Sequence, residues 1–454
     1  MDIYSTYSIK IKEYRHIFKK TVNIYRNAVD FFITVCIKEW DSLSLINGSL
    51  NRQRYIEQIS HKTRQNPLVK YDFDAMFYKM PTYMRRAAIN EAIGKVSSYM
   101  SNLANWEVSD SKTRGNKPSA PKAGYVYPAL YRDNMFIQTN KYEARIKVYI
   151  RNTWDWITIQ LRKSDMDYIY RRCGNRKQCV PTLQKRGKCW YLDFPFEEKV
   201  TLTKHHISEQ LIVTVDLGIN SSAVCSVMDY KGTIYGRHFL RLPSEQDSLN
   251  HAIGRIKKAG QHRNHKTPRL WAKVKGINND IAVKTAKFIM DIAVLYDADV
   301  IVFEHLDLDG KKRGRYKQRL HMWKSRYVQS MVTDKAHRLG MRISHINAWN
   351  TSKLAFDGSG YVLRGKDASF NTYSLCKFTN GKTYNCDLNA SYNIGARYFI
   401  REILKSLPER VGLALEAKVS QVAKRSTCTL STLVSLSAVL RDLGLLTAEL
   451  SAVS

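Results

Sequence analysis

Two short apolar runs, LIVTVDLGI and ADVIVFEHL, each end on a carboxylate, Asp216 and Glu304. Fully apolar runs of this length suit strands covered by helices on both faces. A carboxylate at the end of such a strand costs desolvation energy unless a cation or a donor compensates it. The two runs therefore predict an α/β sheet with acids at its strand ends. AVCSVMD and TIYGRHFL, around a turn at Lys231 and Gly232, supply the intervening hairpin, and a basic helical stretch separates it from the Glu304 strand. A third acid, Asp387, opens a segment in which Ala390, Ile394 and Ala396 suit a helix packed on the sheet. Three such acids can converge at one end. Hard oxygen ligands suit magnesium, and two ions about 3.5 to 4 Å apart can activate water and stabilise the leaving oxygen of a phosphodiester. Taken singly, each acid could instead cap a helix or pair with a nearby Lys or Arg.

At 454 residues the length points to two to four units. Residues 3–12 alternate as a strand does, and Val22, Tyr25, Val29, Phe32, Cys36, Trp40 and Leu43 recur at the steps of one long amphipathic helix. A second helix begins at Pro81, so residues 20–105 read as a helical subdomain. SKTRGNKPSAPKAG, from Ser111, reads as a linker. The alternating runs EARIKVYI and WITIQL, with CWYLDFPFE, make 125–200 an antiparallel sheet or small barrel that the first strand joins. The tail beyond about 411 is helical in pattern and offers no chemistry.

Lys and Arg number 73 against 40 Asp and Glu, a formal net charge of +33. A polyanion that neutralises this excess is the economical partner, and nucleic acid also accounts for 27 tyrosines interleaved with the bases. Arg255, Lys257, Lys258, His262, Arg263, Lys266, Arg269, Lys273 and Lys275 crowd the stretch before Asp280 without an intervening acid, as a phosphate track would. A solvated helix face is the alternative. After Glu304, GKKRGRYKQRLHMWKSRY brings Lys311, Lys312, Arg313 and Arg315 into a Gly-punctuated lid; Tyr316, His321 and Trp323 could stack bases there, or Met322 and Trp323 could pack the next helix. Eight cysteines without framework spacing, no secretory start and no run of about 18 apolar residues place the chain in a reducing, cytoplasmic compartment, away from membranes. Cys173, Cys179 and Cys189 with His205 include no C-x2-C pair and read as ordinary thiols.

VTVDLGINSSAV, ADVIVFEHLD and YNCDLNASYNIGARY resemble the three RuvC motifs of TnpB (OrfB) transposon-encoded proteins and of the related compact type V CRISPR effectors. The order, an Asp in a hairpin strand, a Glu on a later strand and an Asp on a C-terminal helix, is that of the RNase H fold. The resemblance implies a multidomain α+β chain: a first wedge strand (1–19), a helical recognition domain (20–105), a wedge β-barrel (106–205), a RuvC α/β nuclease domain (206–350 and 386–410), an inserted element that binds target nucleic acid and is a degenerate zinc ribbon (351–385) and a tail (411–454). It implies that Asp216, Glu304 and Asp387 hold magnesium, two ions with manganese able to substitute. The implied activity is that of a DNA endonuclease guided by RNA, one chain per guide, on double-stranded DNA carrying a short flanking motif, acting on the bacterial nucleoid. Relatives usually carry T-S-x-x-C-x-x-C and then C-x-x-C; here Ala355, Gly358 and Thr379 stand where three of four sulfurs would be, with Cys376 the fourth, so no zinc is expected. Two other classes fit the same acids: a nuclease-inactive RNA-guided repressor, which should have lost an acid, and an unguided transposase or resolvase, which would not need the N-terminal regions.

Overall fold

A computed structural model of the chain describes residues 1–11, 13–111, 114–131, 133–218, 222–262, 267–305 and 323–443. Two compact units divide it, 2–199 and 200–454. Among the described residues no helix is long and apolar enough to cross a membrane.

In the N-terminal unit β1 (Asp2–Ile11) pairs antiparallel with β7 (Cys189–Lys199), from Asp2 opposite Lys199 to Ile11 opposite Trp190. The first strand thus joins the later sheet, as its alternation requires. β7 also pairs with β5 (Lys177–Gln178) and β6 (Thr182–Arg186), while β2 (Phe136–Asn140), β3 (Glu143–Ile150) and β4 (Thr153–Gln160) form a separate meander. The expected wedge barrel is therefore not a closed one. Closure needs a hydrogen-bonded ladder across every edge. Here helix α6 (Lys163–Cys173) intervenes in the chain between the two sheets, and β2 and β4 remain edges among the described strands.

The helices of this unit are α1 (Arg15–Lys38), α2 (Trp40–Leu45), α3 (Ser49–Ser60), α4 (Phe73–Met76) and α5 (Thr82–Val108), the last following Pro81. The single helix that the apolar spacing predicts is broken at Glu39. That carboxylate is buried and accepts hydrogen bonds from Lys70 Nζ (2.6 Å), Tyr71 Oη (2.7 Å) and Tyr55 Oη (3.0 Å). A buried acid needs such partners, and the break accompanies their gathering.

The C-terminal unit is built on a five-stranded sheet of order β10-β9-β8-β11-β12. β8 (Ile212–Asp216), β9 (Ala223–Met228) and β10 (Ile234–Leu240) run antiparallel; β11 (Val300–His305) and β12 (Arg342–Asn347) continue parallel to β8. Helices α7 (Pro243–Gln261) and α8 (Pro268–Leu295) join β10 to β11, and α9 (Ser325–Arg338) joins β11 to β12. Alternate residues explain the unbroken apolar runs. Ile212, Val224 and Val302 face α10 (Cys386–Ser406), whereas Val213, Cys225 and Ile301 face α8 and α9.

Between β12 and α10 the chain forms a small sheet, β13 (Leu363–Arg364), β14 (Leu375–Lys377) and β15 (Thr383–Asn385), over a cluster of Ala355, Cys376, Phe378 and Cys386. The tail holds α11 (Glu409–Lys418) and α12 (Leu430–Asp442), whose Leu433, Leu436 and Leu440 extend the α10 core.

α10 crosses the sheet at close range because Gly395 lies on the contact. A Cβ there would clash with Met228 Sδ and come within 2.6 Å of Thr214 Cγ2. Gly395→Ala should therefore lower stability by about 1–3 kcal/mol, the usual cost of overpacking. Gly412→Ala in α11, where a Cβ would meet nothing within 4 Å, should raise it by about 0.5–1 kcal/mol. Urea unfolding of both variants checks the contrast.

Candidate active site

β8 and β11 pair in parallel with Phe303 opposite Val215, so the next residues, Glu304 and Asp216, finish neighbouring strands at the same end of the sheet. Asp387 stands in the first turn of α10, whose N-cap Asn385 accepts from the Leu388 amide at 2.9 Å. The three sequence-predicted acids are thus brought to one sheet end, each half-buried. Burial, and then the charges of Glu304 and Asp387, push the Asp216 carboxyl well above the usual carboxylate range, against the pull of Arg364. Burial also raises Glu304, while the Thr351 hydroxyl and the Arg397 charge oppose the rise.

Among the described residues no three His, Cys, Asp or Glu side chains close tightly enough to ligate one ion. Hard carboxylate oxygens are nevertheless the donor type that magnesium takes.

Five residues that carry this geometry escaped the motif reading. Thr351 Oγ1 donates to Glu304 Oε1 at 2.5 Å. Its loop is held by α10: Asn393 Nδ2 donates to the Thr351 and Leu354 carbonyls, both at 2.9 Å, and Asn389 Nδ2 to Leu354 O at 2.8 Å. One turn further on, Arg397 donates to the carbonyls of Trp349 (2.6 Å), Ser426 (2.9 Å), Asn347 (3.1 Å) and Cys428 (3.1 Å). Arg364, on β13, donates to Ser352 O, and its buried Nε has no hydrogen-bond partner. The signal available was polar residues at i, i+4 and i+8 of an otherwise apolar helix, which share a face.

Arg255, Lys257 and Lys258 are exposed on α7, His262 just beyond it, and Arg269, Lys273 and Lys275 on the first turns of α8. Arg263, Lys266, Lys311, Lys312, Arg313 and Arg315, with Tyr316, His321 and Met322, lie outside the described residues. Trp323 packs in part against the core between the sheet and α8.

The acids also set a pH dependence. A carboxyl whose folded value is raised binds its proton more readily folded than unfolded, so stability falls as pH rises from the ordinary carboxylate range through the raised value. In EDTA, Asp216→Asn should remove the share of that fall due to Asp216 and stabilise the protein at neutral pH, leaving the share due to Glu304. Unfolding curves at several pH values measure it.

A family model, the Aq_aa04 family, matches residues 5–150. An uncharacterized protein of Aquifex aeolicus (strain VF5), aq_aa04, is 31% identical over 147 residues, covering 28% of this chain and 83% of that protein. A TnpB-like protein of the same organism, aq_aa05, is 29% identical over 239 residues, covering 46% of this chain and 74% of its own length. Among solved structures, a cryo-EM Cas12f1–sgRNA–target DNA complex matches with a TM-score of 0.51 at 13% identity, over 84% of this chain and 81% of that one. At that identity the likeness is one of fold.

Proposed function

From a chain that belongs to the Aq_aa04 family and is related to TnpB-like proteins, we propose an RNA-guided DNA endonuclease with an RNase H-like (RuvC) catalytic domain. One observation carries the proposal: Asp216 and Glu304 end adjacent strands in register, and Asp387 lies close enough for its charge to act on Asp216. Asp216, Glu304 and Asp387 would hold magnesium, which when bound supplies an activated water and neutralises charge on the leaving oxygen.

The chain's own groups do the rest. Thr351 fixes Glu304 and favours its ionised form by donating to it. Arg364, beside the acids, favours the ionised form of Asp216 through its charge. The exposed bases of α7 and α8 hold backbone phosphates, and pairing with a guide RNA supplies sequence recognition. The segment 351–385 is a degenerate zinc ribbon without zinc, its Cys376 buried in a small apolar cluster. Elemental analysis of purified protein should find no stoichiometric zinc.

Replacing Asp216, Glu304 or Asp387 singly by Ala should abolish cutting of a guide-matched duplex and leave guide and target binding nearly unchanged in gel shifts. A double variant should be little worse than either single one, since the acids act as a unit. Asp387→Ala cutting at the wild-type rate sinks the assignment. Neutralising Arg255, Lys257 and Lys258 together should reduce the slope of log affinity against log salt by about 2–3, at about 0.7–0.9 for each phosphate no longer neutralised.

A further inference from the structure

Arg397 is 5% exposed, and the carbonyls it holds belong to two distant segments: Asn347 and Trp349 where β12 ends, and Ser426 and Cys428 just before α12. Burying a cation is costly, so the guanidinium calls for a reason beyond packing. Its planar fork carries donors in fixed directions and can grip two segments at once, which neither an apolar side chain nor a lysine does.

What joins the two segments is Glu304. Ile346 stands opposite Glu304 in the parallel pair of β11 and β12, and Asn347 is the next residue. Trp349 lies two residues before Thr351, whose hydroxyl donates to Glu304 Oε1 at 2.5 Å. The tail reaches the same loop twice more. The Leu430 amide donates to Asn393 Oδ1 at 3.2 Å, while Asn393 Nδ2 holds the Thr351 carbonyl. The Ser431 amide donates to the Phe356 carbonyl at 2.8 Å. Arg397 thus fixes the loop at its start, Asn393 in its middle and Ser431 at its end, and Thr351 is 2% exposed between them.

We propose that Arg397 is a positioning residue for Glu304, and that the tail segment 426–431 is the anchor through which it acts. The inference rests on the nuclease reading and adds the tail to its metal site. A group that orients a ligand is worth about 10- to 100-fold in metal affinity. The hydrogen bonds make the fork, and not the charge alone, the active feature, and Arg397→Lys keeps the charge while losing the fork.

The test uses the full chain without nucleic acid and manganese(II) as the probe, its free fraction read by electron paramagnetic resonance. Asp216→Ala marks the binding that belongs to the acids. Arg397→Lys should weaken that binding about 10-fold, the low end for a group that orients a ligand. Thr351→Val should do the same, and Thr351→Ser, which keeps the hydroxyl, should restore most of the affinity. The double variant Arg397→Lys with Thr351→Val should be little worse than either single one, because both act on one ligand through one loop. Ile289→Ala, a core change on the opposite face of the sheet, should lower the melting temperature and leave manganese affinity unchanged.

Wild-type affinity in Arg397→Lys overturns the proposal, and so do single losses that multiply in the double variant. An equal loss in Ile289→Ala assigns the effect to stability and overturns it too. Should Arg397→Lys fail to fold, Thr429→Val decides. It removes the hydroxyl that caps α12 and loosens the anchor, and should weaken binding about 2- to 5-fold, as loss of one cap does; unchanged affinity overturns the proposal. Manganese binding that Asp216→Ala abolishes and Arg397→Lys leaves intact rejects the positioning role and keeps the nuclease. Manganese binding indifferent to Asp216→Ala rejects the metal site and the positioning role with it. A loss in Arg397→Lys, in a protein that never cuts a guide-matched duplex, rejects the nuclease and keeps the positioning role.

Discussion

Three buried polar side chains on one face of α10, Asn389, Asn393 and Arg397, hold the C-terminal unit in register. The segment leaving β12 and entering the small sheet has few ladder partners, and its buried carbonyls and amides need donors and acceptors from elsewhere. The two asparagines supply both: they donate to Thr351 and Leu354 carbonyls and accept from the Phe356 and Leu430 amides. Arg397 then ties the end of β12 to the tail before α12, giving four of its N–H groups to carbonyls. Glu304 inherits its orientation from this arrangement, because the hydroxyl it accepts belongs to the loop that Asn393 grips.

The same helix must lie near the sheet for Asp387 to reach the strand ends. Gly395 allows that approach, and Ser391 secures it by bonding Ser226 Oγ at 2.5 Å inside the core. A helix so fixed tolerates an acidic strand end that opposes folding. Asp216 and Glu304 bring burial and mutual repulsion, and the surrounding core of Tyr392, Phe399 and Leu433 offsets them. Stability is given up at the acids and recovered in the packing around them, a common arrangement where chemistry needs groups that water would rather keep.

The N-terminal unit obeys other constraints. The family match at residues 5–150 lies within it. Its first strand depends for its partner on β7, nearly the whole unit later in sequence, and Phe73, stacked on both Phe32 and Phe77 with ring centroids 4.7 Å apart in each contact, joins α1 to the segment around α4. Glu39 shows how one buried acid redirects a helix that apolar spacing alone would carry through to Leu43.

Local pattern determined much of this protein. The apolar runs ending at Asp216 and Glu304 announced covered strands, the Lys231–Gly232 turn announced their hairpin, and Ala390 and Ile394 announced a packed helix, because period and burial are written in neighbouring residues. The excess of basic residues was equally plain, although where each one lies was not. Tertiary structure alone decided that the N-terminal strands form two open sheets, since barrel closure depends on edges meeting across the unit. It alone brought Thr351 to Glu304 and Arg364 near Asp216. Those residues are polar members of a loop and a two-residue strand with no periodicity of their own. Their roles arise only when the Asn389, Asn393 and Arg397 face folds the loop back onto the sheet, a long-range contact that no local spacing encodes.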